Sequence, residues 1–466
     1  MKKIARLFSA VLSLVVICSS CDYNELDPSD MVGPNTAFKD TENVHKAVVG
    51  IYGKASLRQK LSITEYIGDD CQQGGDSGGA GTDLTNWVYV ATSGDVKGVW
   101  EHYYSMINQA NRVLYYGPQV KPIDDEDLAY LNESLGVAYF FRAYAHFELL
   151  NFFSKSYDLN SAGIPYVSHY HVVGQPKRET VAECYDQIMT DLDRAYDMIR
   201  LEKPDLSAAN SAKNSTAYVS KAAVDALRAR VALYSKNYTM AQIFAQNALD
   251  AVGGIAKLKD VENVWEDKSN QGIIFKLSRP AGSSKIGSLF VTQDYSSIFL
   301  PTNELRSIYG AKDVRSKVFF RMGHDRGGSP AWMVTKWFGN SSDMGRADEK
   351  MFRAEEMLLI IAECYLEGQT PQTAQAERLI HDLRKERIEA YTPTALSNVM
   401  EELIVERRRE LVWEGHRLFD ARRLQQKIQR GGKLLSWDDY RMVLPIPQAE
   451  IDANNGITAA DQNYGY

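Results

Sequence analysis

The sequence predicts a mostly α-helical protein: paired helices forming a scaffold that carries long irregular loops and a few short strands. Three observations predict it. Apolar residues recur at helical spacing along most of the chain, strand-like runs are scarce, and several helix pairs share one pattern of small and aromatic residues. In chain order the helical segments are 41–57, 99–116, 126–153, 181–199, 217–235 and 239–251. A second group follows at 353–366, 373–389, 395–413 and 416–430. Within 99–116, Val99, Tyr103, Met106, Ala110, Val113 and Leu114 fall close to one helical face. The polar stretch 207–215 reads as a turn, with Ser215 or Thr216 as a helix N-cap. The best strand-like runs are 272–278 and 333–338.

The clearest helix pair spans 222–251. Tyr238, Ala241 and Ala248 stand where a tetratricopeptide-like hairpin needs aromatic and small residues so that two helices can approach. Segment 358–383 repeats the theme with Ala362, Tyr365, Ala374 and Leu379, and 140–153 has the character of a first helix of another pair. Long inserts separate the pairs, so the expectation is a helical scaffold with loops and not a regular solenoid.

The N-terminus carries export chemistry. Lys2, Lys3 and Arg6 precede an apolar run over 7–17, then Ser19, Ser20 and Cys21. The run falls short of the ~20 apolar residues a membrane-spanning helix needs. A cysteine at the cleavage point marks residues 1–20 as a lipoprotein signal peptide and Cys21 as the lipidated first residue; Cys18 departs from the usual aliphatic residue. The net charge is −7. An acidic chain argues against a nucleic-acid partner, since phosphates reward basic surfaces. Cys71, Cys184 and Cys364 are odd in number and far apart, so no disulfide framework is implied. Cys184 and Cys364 fall on apolar helix faces, as core thiols do.

The last third holds the sharpest motifs. Arg353-Ala-Glu-Glu-Met-Leu-Leu-Ile-Ile-Ala-Glu363 leads one hairpin. A second stretch follows, with Glu406, Glu410, Glu414, Gly415, Arg417, Asp420 and Arg423 at fixed spacing. Leu444-Pro-Ile-Pro447 with Glu450, and a closing Gln462-Asn463-Tyr-Gly-Tyr466, complete the set. Together with Cys21-Asp-Tyr-Asn-Glu-Leu-Asp27-Pro28, these motifs resemble the SusD/RagB family of outer-membrane nutrient-uptake lipoproteins of Bacteroidetes. The resemblance runs from end to end and is weakest over 253–351; Tyr464 stands where proline is commoner.

The resemblance implies a single SusD-like domain over 21–466, with an N-terminal part to about 252 and a C-terminal part from about 253. It implies a non-catalytic, surface-exposed protein tethered to the outer membrane by its lipid. Such a protein captures an oligo- or polysaccharide and passes it to a SusC-like TonB-dependent transporter. The alternatives are a RagB-like protein binding peptides and, from another class, a lipid-anchored hydrolase. Physically, Glu406/Arg409 and Glu414/Arg417 form i,i+3 pairs that support a helix. The run Arg407-Arg408-Arg409 is flanked by acids and is no nucleic-acid patch.

The glycine-rich stretch within 65–98 is the first choice for a ligand site. Gly74 to Gly98 are interleaved with Asp76, Asp83 and Asp95, and Asn86, Trp87 and Tyr89 sit near the middle. Aromatic faces can stack on sugar rings while an amide bonds hydroxyls, and family members draw glycan contacts from this region. Tyr295 and Trp332 would complete an aromatic arc; Trp100 fits the core. Asp69-Asp70 invites a glycosidase reading, which needs two carboxylates facing across a bond. Asp76 to Asp83 would contribute oxygen ligands to a structural calcium; no other cofactor is expected. His169 and His171 alternate without a third ligand for zinc. No Gly-Lys-Ser/Thr phosphate loop is present.

Overall fold

The computed structural model describes residues 34–170, 174–207, 215–339 and 343–466. Cys21, the signal segment and His171 lie outside the described residues. Helices α1 (Thr41–Lys54), α2 (Arg58–Ile67), α3 (Gly94–Tyr116), α4 (Asp125–Phe153) and α5 (Val181–Met198) form the first half. The scaffold continues with α6 (Lys221–Tyr234), α7 (Tyr238–Ala251), α8 (Ala354–Glu367), α9 (Thr373–Lys385) and α10 (Val399–Leu411). From α3 to α9 each helix packs against the next in the chain, so the hairpins stack in sequence order.

Local chemistry sets the boundaries. Asp40 caps α1 by accepting from the Asn43 N–H at 2.9 Å, and Asp124 caps α4 through the Asp127 N–H at 2.8 Å. Thr180 and Glu183 form a reciprocal capping box on α5. From Ser134 to Phe153 every residue of helix α4 but the half-buried Tyr139 is buried; it is the central post, packed by α1, α3 and α5. On α7 only Ala241, Ala245 and Ala248 are buried, and they form the face between α6 and α8. Three small residues on one face let backbones approach, as the hairpin pattern predicts.

Four two-stranded antiparallel sheets decorate this scaffold: β1 (Cys71–Gln73) with β3 (Phe299–Pro301), β2 (Ile273–Leu277) with β6 (Glu349–Arg353), β4 (Phe320–His324) with β5 (Pro330–Val334), and β7 (Ile428–Arg430) with β8 (Lys433–Leu435). Several expectations are corrected. The segment 416–430 is a short helix, Arg417–Arg423, followed by strand β7. The cap of α6 is Ser220, accepting from the Ala223 N–H at 3.3 Å, not Ser215 or Thr216. The strand expected over 333–338 starts earlier and stops at Val334, because Lys336 and Trp337 turn into the core. Helix α2 went unread because its buried residues include Lys60, Thr64 and Glu65, which no apolar period reveals.

The C-terminal motif proves to be a buried ionic lattice. Arg353, at the end of β6, binds Glu414 through Nε at 2.9 Å and Nη2 at 2.7 Å, and Glu410 through Nη1 at 3.0 Å. Glu410 also takes Arg387 at 2.9 Å and Arg315 at 3.1 Å. The Glu406–Arg409 pair forms, at 3.1 Å. The Glu414–Arg417 pair does not: Arg417 turns to Asp69 at 2.8 and 2.9 Å, while Glu414 takes Lys336 at 2.6 Å. Gly415 has φ +79°, and a Cβ there would stand 2.6 Å from Cε of Lys60. Its close neighbour is therefore the aliphatic stem of Lys60. Cys71, Cys184 and Cys364 are all buried free thiols.

Candidate ligand-binding face

The glycine-rich loop after β1 is fixed in place by two distant segments. Gly74 donates to the Ile298 carbonyl at 2.8 Å, and Gly75 donates to Oδ1 of Asp325 at 2.6 Å. A Cβ on Gly75 would stand 2.6 Å from Cβ of Arg326, so only glycine allows the loop to lie this close to the β4–β5 hairpin. Asp76 accepts a hydrogen bond from the Ser296 hydroxyl. Here the acidic residue meant for calcium is spent on a serine. Among the described residues no group of three or more His, Cys, Asp or Glu side chains is arranged to hold a metal.

Between these segments lies a tight turn. Val291 and Ser297 bridge antiparallel, Thr292 donates to the Ser296 carbonyl at 2.9 Å, and Tyr295 takes φ +60° near the tip. That conformation is uncommon for a non-glycine residue. It leaves Tyr295 52 % exposed, with its ring centre 6.4 Å from that of Phe338. His324 braces the turn by donating from Nε2 to the Asp294 carbonyl at 2.7 Å. On the hairpin, Met322 stands opposite Trp332. Met322 is exposed and Trp332 half-buried, with the Arg306 guanidinium 4.2 Å from the indole centre. The Ser297 hydroxyl donates to the Trp332 carbonyl at 3.3 Å, which joins turn and hairpin. The predicted pair Tyr295 and Trp332 therefore belongs to one assembled surface, with Met322 and Arg306 added to it. Gly327-Gly328 between two short runs was the sequence signal for this hairpin.

The other predicted aromatics point inward. Trp87 is only 4 % exposed, donates from Nε1 to the Ile67 carbonyl at 2.9 Å, and lies under the Arg430 guanidinium at 5.2 Å. Tyr89 is buried and donates to the Arg441 carbonyl. Neither offers a flat face to a ligand, because the chain ends, through Arg430, Arg441 and Tyr466, supply the core this loop seemed to lack. Asn86 stays exposed at the end of the short helix Thr82–Thr85. Trp100 is buried, as its helical face predicts.

Asp69 and Asp70 do not face a cleft as an acid–base pair. Asp69 is clamped by Arg417, and Asp70 by Arg408 at 2.6 Å. Burial pushes Asp69 upward, but Arg417 and Arg408 overcome it and hold the carboxyl below its ordinary value. Asp70, wholly buried beside Asp69, is raised, with Arg408 opposing. Both are structural ion-pair members. His169 meets the Ser168 hydroxyl at 2.7 Å.

The comparisons agree with this architecture. Residues 25–252 match the family model SusD-like_3, described as starch-binding and associating with the outer membrane, and residues 326–466 match the model of the SusD family. The chain belongs to the SusD family. Among solved structures, a SusD superfamily protein of Bacteroides thetaiotaomicron is 22 % identical, with a TM-score of 0.79 over 91 % of this chain and 99 % of that one. A SusD-like carbohydrate binding protein of Bacteroides vulgatus is 18 % identical, covering 91 % and 98 %, with a TM-score of 0.74. Surface glycan-binding protein A of Bacteroides uniformis is 16 % identical, covering 91 % and 99 %, with a TM-score of 0.73. Comparison with curated proteins gives no match. The SusD-like chain has no described helix long and apolar enough to cross a membrane.

Proposed function

We propose that this SusD-family protein is a cell-surface lipoprotein that captures a glycan and delivers it to a SusC-like TonB-dependent outer-membrane transporter. The exposed Tyr295 ring, held at a strained turn that Ser297 ties to the Trp332 backbone, carries this reading. A residue held at positive φ costs backbone energy and persists where surroundings enforce it. Here the bracing by His324 and the glycine loop presents an aromatic ring to solvent. A sugar ring can stack its C–H face on Tyr295. The protein catalyses nothing in this reading. Asp69 and Asp70, the adjacent carboxylates that suggested hydrolysis, are tied up by arginines. Cys21 carries the lipid tether, and the acidic residues Asp22, Glu25 and Asp27 that follow it resemble the family's surface-export signal.

Affinity electrophoresis through gels containing starch, xylan, mannan or laminarin tests the reading. The parent is expected to be retarded by one of them. Tyr295→Ala, with an unchanged melting curve, is expected to lose that retardation. Equal retardation of parent and variant on every gel that retards the parent would remove Tyr295 from the site.

A further inference from the structure

A second cleft lies on the helical side of the molecule, built by residues that the loop-centred reading does not use. Its volume is about 400 Å³, within the range of roughly 300–1,000 Å³ typical of small-ligand pockets. Helical spacing puts its walls together. Asn111 and Tyr115 are one turn apart on α3, Tyr139 and Arg142 one turn apart on α4, and Thr190 and Asp191 face them from α5.

The floor is rigid and electrically balanced. Arg142 grips Asp191 through Nε at 2.7 Å and Nη2 at 2.6 Å, both side chains being 3 % exposed. Arg142 Nη1 spends its two protons on Asn111 at 2.7 Å and on the Ser168 carbonyl at 2.6 Å. The Tyr166 hydroxyl donates to Asp191 at 2.6 Å. One N–H of Arg142 Nη2 remains for a ligand. The buried charges of the floor cancel, and a further cationic lining group, Arg194, lies over Tyr139 and 4.0 Å from Asp191.

The rim is aromatic. Tyr115 is 53 % exposed, its ring 5.7 Å from Tyr170. Tyr139 carries the guanidinium groups of Arg142 and Arg194 at 5.1 and 5.4 Å from its centre, which fixes its ring plane. Rigid tyrosines over a neutral hydrogen-bonding floor suit a ring with apolar faces and hydroxyl edges.

We propose that this cleft is a second saccharide-binding site, taking a pyranose unit on the exposed Tyr115 ring above the Arg142–Asp191 floor. The inference rests on the glycan-binding reading and adds a site to it. The cleft sits at the C-terminal end of α3, whose other end adjoins the glycine-rich loop. At 1.5 Å rise per residue those ends are roughly 30 Å apart. A polysaccharide engaging both sites would be held more tightly than a short oligomer, since the second contact becomes intramolecular.

Native mass spectrometry with maltohexaose, xylohexaose, mannohexaose and laminarihexaose decides it. The parent is expected to take up two equivalents of one of these sugars. The Tyr115→Ala/Tyr139→Ala variant is expected to take up one, as is Tyr295→Ala/Trp332→Ala. Each variant's lost site should weaken by about tenfold or more. Should the first double variant melt early, Tyr115→Ala alone, on a largely solvent-facing ring, makes the same test. One equivalent in the parent, abolished by Tyr295→Ala/Trp332→Ala, overturns the second site and leaves the proposed function standing. Two equivalents retained in Tyr115→Ala/Tyr139→Ala overturn it as well. No uptake of any of the four sugars overturns both.

Discussion

Arg353 and Glu414 meet through two hydrogen bonds, 2.9 and 2.7 Å, across 61 residues of chain. The contact joins the end of β6 to the turn that follows α10, and it anchors a lattice of arginines and glutamates in the core. A buried charge is tolerable only when paired, and removing one partner strands the other. The family signature of this tail is thus a folding device, remote in its chemistry from ligand capture.

Acid should dismantle that lattice. Burial pushes Glu406 upward, yet Arg315, Arg409 and Arg384 hold its carboxyl at about 2, below its ordinary 4.5. A depressed carboxyl contributes stability that is full above the unfolded value and lost as pH falls through the folded one. The parent is expected to lose melting temperature between pH 4.5 and 2. Glu406→Gln should cost about 3–5 kcal/mol at pH 7, with the gap to the parent narrowing below pH 4.5. Thermal melts from pH 2 to 7 check this; a gap that stays constant would refute it.

Glu65 should behave in the opposite sense. Burial, with Asp70 beside it, raises its carboxyl to about 8, while Oε1 accepts the Gly415 N–H at 3.0 Å. A raised value means that ionisation costs stability between pH 4.5 and 8. Glu65→Gln keeps an acceptor for Gly415 and removes that cost. The variant should match the parent near pH 4.5 and exceed it by a few kcal/mol above pH 8, at ~1.4 kcal/mol per pH unit. Denaturant melts at pH 5 and 9 provide the comparison; equal differences at both would count against a buried, protonated Glu65.

The helix pairs tolerate little added volume where their small residues meet. Ala241 is fully buried on the face of α7 that meets α6 and α8. Ala241→Leu is expected to cost ~1–3 kcal/mol by overpacking, read as a lower melting temperature. An unmoved melt would mean the α6–α7 contact is looser than its alanines suggest.

Membrane attachment tests the other end of the chain. Cys21→Ala should abolish palmitate labelling and leave the protein as an unprocessed precursor or released from membranes. Labelling that persists in this variant would place the lipid elsewhere.

Helical periodicity carried most of the scaffold into view, because burial there follows the 3.6-residue period and short connections. The hairpin alanines Ala241 and Ala248 were legible for the same reason. Helix α2 was not, since Lys60 and Glu65 are buried with polar partners from distant segments: Lys60 pairs with Glu148 at 2.8 Å, 88 residues away, and Glu65 accepts the Gly415 N–H at 3.0 Å. At the candidate face, Tyr295 and Trp332 were readable as large aromatics in irregular chain. Arg306 and Met322 were not, because only the folded turn and hairpin bring them beside Trp332.

Trp87 separates local from long-range information most sharply. On the sequence it is an aromatic in a flexible loop; in the fold it is buried against Ile67 and Arg430, the latter 343 positions later along the chain. Arg430 also donates to the Tyr66 and Gly68 carbonyls, both at 2.7 Å, so indole and guanidinium together close the loop onto α2. Removing a buried tryptophan side chain costs ~3–5 kcal/mol. Trp87→Ala should therefore lower the melting temperature strongly, and any loss of glycan retention should follow unfolding. Tyr295→Ala should do the reverse, losing retention at an unchanged melt. Both variants run side by side on calorimetry and affinity gels make the contrast. A Trp87→Ala protein that melts like the parent yet no longer binds would return that loop to the ligand site.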